Sequence, residues 1–174
     1  MSDTATPVLS SVEGPVLTVA LADYADPADA AAVVDLLDVY ARDPMGGGEP
    51  LAAGIRAALP DALAAHPGAF SLIARENGVP VGLANCFTGF STFACAPLVN
   101  IHDLSVRSSH RDKGVGRALM RAVENEAQAR GACKITLEVL SGNERAKALY
   151  ASEGFADFAL DPAMGSAQFW EKKL

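Results

Sequence analysis

The stretch of this 174-residue chain best equipped for chemistry is Arg111-Asp112-Lys113-Gly114-Val115-Gly116-Arg117. Glycines let a backbone come close to a ligand. A helix opens at Val115, so the unbonded N–H groups of the turn and of the first helical turn converge on one spot. The positive end of the helix dipole reinforces them, and Arg111, Lys113 and Arg117 surround the spot with charge. Together these features describe a pocket for a phosphate or pyrophosphate. It is neither of the commoner nucleotide loops, since the chain has no P-loop motif and no Gly-x-Gly-x-x-Gly after its first strand.

Just upstream stand His102 and Asp103, on a strand. A histidine ordinarily titrates near about pH 6.5 and is suited to accept a proton near neutrality. A lone strand histidine can equally be a hydrogen-bonded structural residue. Alternation along a strand places His102 and Asp103 on opposite faces, so at most one of them faces a substrate. Other reactive types carry less. Cys86, Cys95 and Cys133 sit in or near apolar strands and read as inert core thiols. Their odd number, wide spacing and lack of a CxxC pair fit neither a disulfide framework nor a zinc site, and no metal is expected. His110 reads as solvated, and His66, ahead of Pro67, has no evident partner.

The elements that must position these residues follow from periodicity. Residues 1–14 read as a loose tail and 15–174 as a single domain. Val16 to Ala20 is a first strand. Asp26 caps a helix that opens at Pro27 and runs to about Ala41, with Ala30, Val33, Val34 and Leu37 at helical spacing. Asp43 to Gly48 reads as a flexible loop, and Leu51 to Ala65 as a second helix. Phe70 to Glu76 and Val81 to Phe87 are strands joined by an Asn77-Gly78 hairpin turn. Gly89 to Pro97 reads as a looser connection. Leu98 to Val106 is the next strand, followed by the glycine turn and a helix that stops at Arg130-Gly131. Lys134 to Leu140 is a strand, Asn143 caps a short helix ending at Gly154, and closing strands are expected at Phe155 and at Phe169-Trp170. The order β-α-α-β-β-β-α-β-α-β-β is an α/β fold, a mixed central sheet with helices on both faces.

Composition narrows the function. Half the chain is apolar and 20% is charged, enough for a sizeable core. A net charge of −7 argues against a nucleic-acid partner. No apolar run reaches the length of a membrane span. With no basic residue before Arg42, no signal peptide is expected, and a cytoplasmic protein is. Seven acids precede Arg42, while the remaining 14 acids are matched by 14 bases. That excess is either a solvated face or an acidic wall beside a site for a cationic substrate.

These residues resemble the GNAT superfamily of N-acetyltransferases. Its most diagnostic element, Gln/Arg-x-x-Gly-x-Gly/Ala between a strand and a long helix, is met at every specified position by Arg111-Asp112-Lys113-Gly114-Val115-Gly116. A second element, an asparagine opening a short helix that ends in Leu-Tyr before a Gly-Phe turn, is met by Asn143 through Leu149-Tyr150 and Gly154-Phe155. The match covers roughly residues 98–156. The resemblance implies acetyl-CoA as donor, its pyrophosphate on Asp112, Lys113, Gly114, Val115, Gly116 and Arg117. Its pantetheine would pair with a splayed strand at Leu104, Ser105 and Val106, beside Asn143. It implies Tyr150 as the acid near the sulfur and the Leu104 N–H as oxyanion donor. In the diamine and polyamine branch a Glu-Asp stands where this chain has His102-Asp103, which makes that pair the candidate base.

The resemblance further implies transfer to a primary amine of a small, cationic molecule by direct attack in a ternary complex, in a homodimer. Two alternatives stay open: a catalytically silent coenzyme A-binding protein, and a protein N-acetyltransferase. In this family the connection around Gly46-Gly47-Gly48 overlies the acceptor and can serve as a lid.

Overall fold

The computed structural model describes residues 14–158, 161, 163, 165 and 167–174. The expected tail, residues 1–14, lies almost wholly outside them. Five strands form one sheet in the order β1 (Leu17–Leu21), β2 (Ala69–Glu76), β3 (Val79–Ser91), β4 (Ala96–Val106) and β5 (Ile135–Leu137). The first four pair antiparallel and β5 runs parallel to β4. This is the expected mixed sheet. Asn77 and Gly78 both take positive φ, 50° and 82°, as the tight turn between β2 and β3 requires.

Each face carries its own core. Helices α1 (Pro27–Ala41) and α2 (Ala53–Ala65) bury Val33, Leu36 and Leu63 against Ile73 and Leu83. On the other face, Leu119, Met120 and Val123 of α3 (Val115–Ala129) meet Leu72, Ala84 and Val99. The short α4 (Glu144–Ser152) adds Leu149 and Tyr150 to that side. Local caps fix the helix starts: Asp26 accepts from the N–H groups of Ala28 and Asp29, and Asn143 from that of Ala146.

Four readings need correction. The Gly89–Pro97 stretch is no loose connection, because β3 and β4 pair out to Ser91 and Ala96. The Asp43–Gly48 loop contains a 3₁₀ turn over Pro44–Gly46, capped by the Asp43 carboxylate on the Met45 N–H. The strand expected to reach Leu140 ends at Leu137, where the chain leaves β4. The closing strands are not formed: residues 155–158 and 167–174 have no regular structure, and Phe158, Phe169 and Trp170 are exposed. From Ala156 to the end the sequence holds no Val, Ile or Thr, so little there favours a pleated strand.

The feature that most affects the site is a β-bulge in β4. Asn85 pairs with Asp103 and Cys86 with Ile101, so His102 is an extra residue without an opposite number. Strand alternation is broken there. Ile101 enters the α3-side core, whereas His102 packs edge-on to Phe87 at 5.5 Å and Asp103 bonds Asn85, both on the α1 side. His102 and Asp103 therefore share a face, contrary to the alternation expected of a regular strand.

Candidate functional site

The hydrogen-bond phase of β4 decides what its outer edge offers. The Arg107 N–H donates to the Val81 carbonyl on β3. Antiparallel pairs alternate, so Ser105 and Asp103 also direct their N–H groups to β3, and Leu104 and Val106 direct theirs the other way. On that side β5 pairs only with Val99, Asn100 and Ile101. The amides of Leu104 and Val106 thus face an open cleft between the diverging strands, able to receive an extended ligand as a further strand. Ser105 contributes backbone only, since its hydroxyl donates to the Leu36 carbonyl on the opposite face.

Across the cleft lies a cavity of about 520 Å³. Leu104, Ser105, Val106, Arg111, Asp112, Gly114, Gly116, Arg117, Asn143 and Tyr150 line it, whereas Lys113 does not and Val115 is buried in the α3-side core. Gly114 sits at the start of α3 with φ 83°, and Asp112 before it with φ 61°. The turn aims the first free amides of α3 into the cavity. Gly116 lets α3 pack closely on α4, because a Cβ there would lie 3.0 Å from the Leu149 side chain.

The cations are more engaged than the sequence implied. Arg111 donates to the Val106 carbonyl at 3.1 Å and pairs with Asp43 at 2.6 Å, tying the turn to the connection after α1. Asp43's carboxyl is held below its ordinary range, chiefly by that Arg111 hydrogen bond. Arg117 pairs with Glu153 at 2.7 Å. Arg145 pairs with Asp112 at 3.0 Å and lines the same cavity, a cation that sequence reasoning missed although it lies on the first turn of the helix Asn143 caps. Lys113 has no ion pair among the described residues.

Tyr150 brings a half-buried hydroxyl to the site. Burial, and secondarily Tyr40, push its pKa up to about 12. Tyr40, at the end of α1, also lines the cavity with Asp43 and Met45, and none of the three carried a sequence signal. Burial raises the Tyr40 pKa as well, followed by the charges of Asp103 and Asp43. Neither His102 nor Asp103 lines the cavity itself; Asp103 lies within electrostatic reach of Tyr40 on its α1 side.

Among the described residues no acidic wall faces the cavity, and Asp3 and Glu13 lie outside them. Asp35 pairs with Arg56 at 2.8 Å, and Asp38 is nearly buried between Arg42 and Arg56 while accepting from the Leu51 N–H. Asp29 pairs with Arg75 and Asp26 caps α1. These acids brace α1 and α2 and do not face the cavity. Of the cysteines only Cys86 is buried, its pKa pushed up to about 12 by burial first and by Asp103 next; Cys95 and Cys133 are exposed, not core thiols. His110 is half-buried, 3.3 Å from Glu76, and His66 packs edge-on to Phe87 at 5.2 Å, so neither is without a partner.

A model described as the acetyltransferase (GNAT) family matches residues 34–155. The chain belongs to the GNAT family. This GNAT chain is 33% identical over 86 residues to an uncharacterized N-acetyltransferase of Bacillus subtilis, covering 49% of this chain and 58% of that one. It is 37% identical over 101 residues to a streptothricin acetyltransferase of Streptomyces lavendulae, covering 55% and 53%. It thus spans little more than half the length of these curated relatives. An aminoglycoside N-acetyltransferase solved in complex with CoA superposes with a TM-score of 0.71 at 18% identity, over 94% of this chain and 99% of that one. That likeness shows the GNAT fold. Among the described residues, no helix is long and apolar enough to cross a membrane.

Proposed function

We propose that this GNAT protein is an acetyl-CoA-dependent N-acetyltransferase acting on the primary amine of a small, cationic molecule. One observation carries the reading: the free amides of Leu104 and Val106, the amide-rich start of α3 and the Tyr150 hydroxyl all open on one cavity. The donor set fits the coenzyme. Backbone amides and Arg145 suit its pyrophosphate, and the unpaired strand edge suits its amide-bearing arm.

Bound acetyl-CoA supplies a thioester, whose acetyl group passes to the amine while the sulfur leaves. The chain's own residues do the rest. The Leu104 N–H donates to the carbonyl oxygen as it gains charge. Tyr150 donates a hydrogen bond toward the sulfur. Burial that raises its pKa to about 12 keeps Tyr150 protonated, so it meets the leaving sulfur as a hydrogen-bond donor and the candidate acid. The proton lost by the attacking amine passes through a water to His102, which the bulge sets on the α1 side of the sheet outside the cavity lining.

The relatives named for streptothricin and for aminoglycosides support a small-molecule acceptor over a peptide. The test is a panel of diamines, polyamines, amino acids, aminoglycosides and peptide N-termini assayed for acetyl-CoA-dependent thiol release. Small polyamines or amino sugars are expected to lead. Release with peptides alone would overturn the acceptor class, and release with no amine would overturn the activity.

A further inference from the structure

Three polar side chains with no part in the reaction above stand in a row across the sheet. Ser71 on β2, Asn85 on β3 and Asp103 on β4 are direct register partners, all on the α1 side, and the first two are buried. Tyr24, just before α1, reaches the row from its outer end. Its hydroxyl lies 2.8 Å from the Ser71 Oγ, which is 2.6 Å from the Asn85 Oδ1, and the Asn85 Nδ2 is 3.0 Å from the Asp103 Oδ2.

The direction of every proton follows from what each atom can do. An amide oxygen only accepts, so Ser71 gives its one proton to Asn85. The Ser71 oxygen is then left to accept from Tyr24, whose proton is held by the burial that raises its pKa. The Asn85 NH₂ only donates, so the carboxylate receives. All the donors point toward Asp103. Its other oxygen, Oδ1, accepts from no group among the described residues and is not buried, so it remains available to a ligand. Asp103 directly precedes Leu104, which lines the cavity, and its charge reaches Tyr40 on the same cavity's lining.

We infer that Tyr24, Ser71 and Asn85 are positioning residues that hold the free oxygen of Asp103 as the docking point for a second, protonated nitrogen of the acceptor. This rests on the N-acetyltransferase reading and sharpens it. The nitrogen that attacks must be neutral, and a nitrogen paired with a carboxylate stays charged. The two are therefore different atoms, and the acceptor class is one bearing at least two amines.

The experiment compares 1,4-diaminobutane with butylamine, which keeps a reacting amine and lacks the second nitrogen. The readouts are the ratio of their kcat/KM values, the KM for acetyl-CoA and the thermal midpoint. The unaltered protein favours the diamine, and Asp103→Asn brings the ratio close to one. Tyr24→Phe and Ser71→Ala each lower the ratio by roughly fivefold, the scale of one lost hydrogen bond, with the acetyl-CoA KM unchanged. An unchanged ratio in folded Tyr24→Phe and Ser71→Ala would reduce the row to packing. A ratio of one in the unaltered protein would remove Asp103 from acceptor binding. Should Ser71→Ala not fold, Tyr24→Phe carries the test from the half-exposed end of the row. If neither amine is acetylated, there is no ratio to read, and the activity itself rests on the wider amine panel. Calorimetry of 1,4-diaminobutane with the CoA-saturated protein and its Tyr24→Phe variant then decides the docking separately: weaker binding in the variant supports it, and equal or absent binding overturns it.

Discussion

Tyr150 combines a polar tip with an apolar setting, and the two make opposite demands. Burial raises its pKa to about 12, so in the proposed mechanism it meets the sulfur as a donor. Tyr150→Phe preserves the packing against Phe155 and removes only the donor. It should lower kcat by roughly 10²-fold while sparing the KM for acetyl-CoA, read from steady-state kinetics. The sign of the pH effect follows from the raised value. Activity rises with pH as the amine loses its proton, and no falling limb from Tyr150 is expected until pH nears its raised pKa of about 12. A second residue-scale prediction concerns Gly116. A Cβ would press on Leu149, so Gly116→Trp must displace α4 or fill the cavity, and calorimetry should show at least a tenfold loss of coenzyme A affinity in a variant that remains folded.

At the scale of elements, the connection after α1 is pinned to the glycine turn by one ion pair. Asp43 caps its 3₁₀ turn and holds Arg111, which in turn holds the Val106 carbonyl. Asp43→Asn should loosen both sides, raising KM for the amine and for acetyl-CoA together. Because Arg111 depresses the Asp43 carboxyl, the tie is complete above the ordinary carboxylate range and fails only as pH falls through the lowered value. The sequence displayed the parts of this arrangement that are local. Asp26, Asn143 and Gly114 announce their helices because a cap acts within three residues. Arg56 lies 21 positions from Asp35 and Arg75 46 from Asp29, and no local pattern pairs them. Acids whose partners are that remote read as an unpaired wall.

Across the whole molecule, two cores on either side of one sheet support the site. Leu119 is fully buried in the α3-side core, and Leu119→Ala should cost about 2–5 kcal/mol in chemical denaturation. Asp38→Asn should lower the thermal midpoint by unbracing α1 from α2, while leaving the diamine-to-monoamine preference unchanged. The cofactor side was legible from Asn100 to Phe155 because its glycines, cap and tyrosine sit in two continuous segments. The acceptor side was only partly so: His102 and Asp103 stood out in the sequence, whereas Tyr40 and Asp43 come from other elements and the bulge that brings His102 and Asp103 to one face has no residue signature. That single unmatched residue is a phase shift in β4. Residues 96–101 and 103–106 obey opposite parities, so inward and outward exchange meaning halfway along the strand. Deleting His102 would put the two halves back in step. Either the cleft-facing amides or the α3-side core would then be turned over. A graft of β4 into another scaffold must therefore carry its extra residue with it, and an alignment that closes the gap would assign every side chain beyond it to the wrong face.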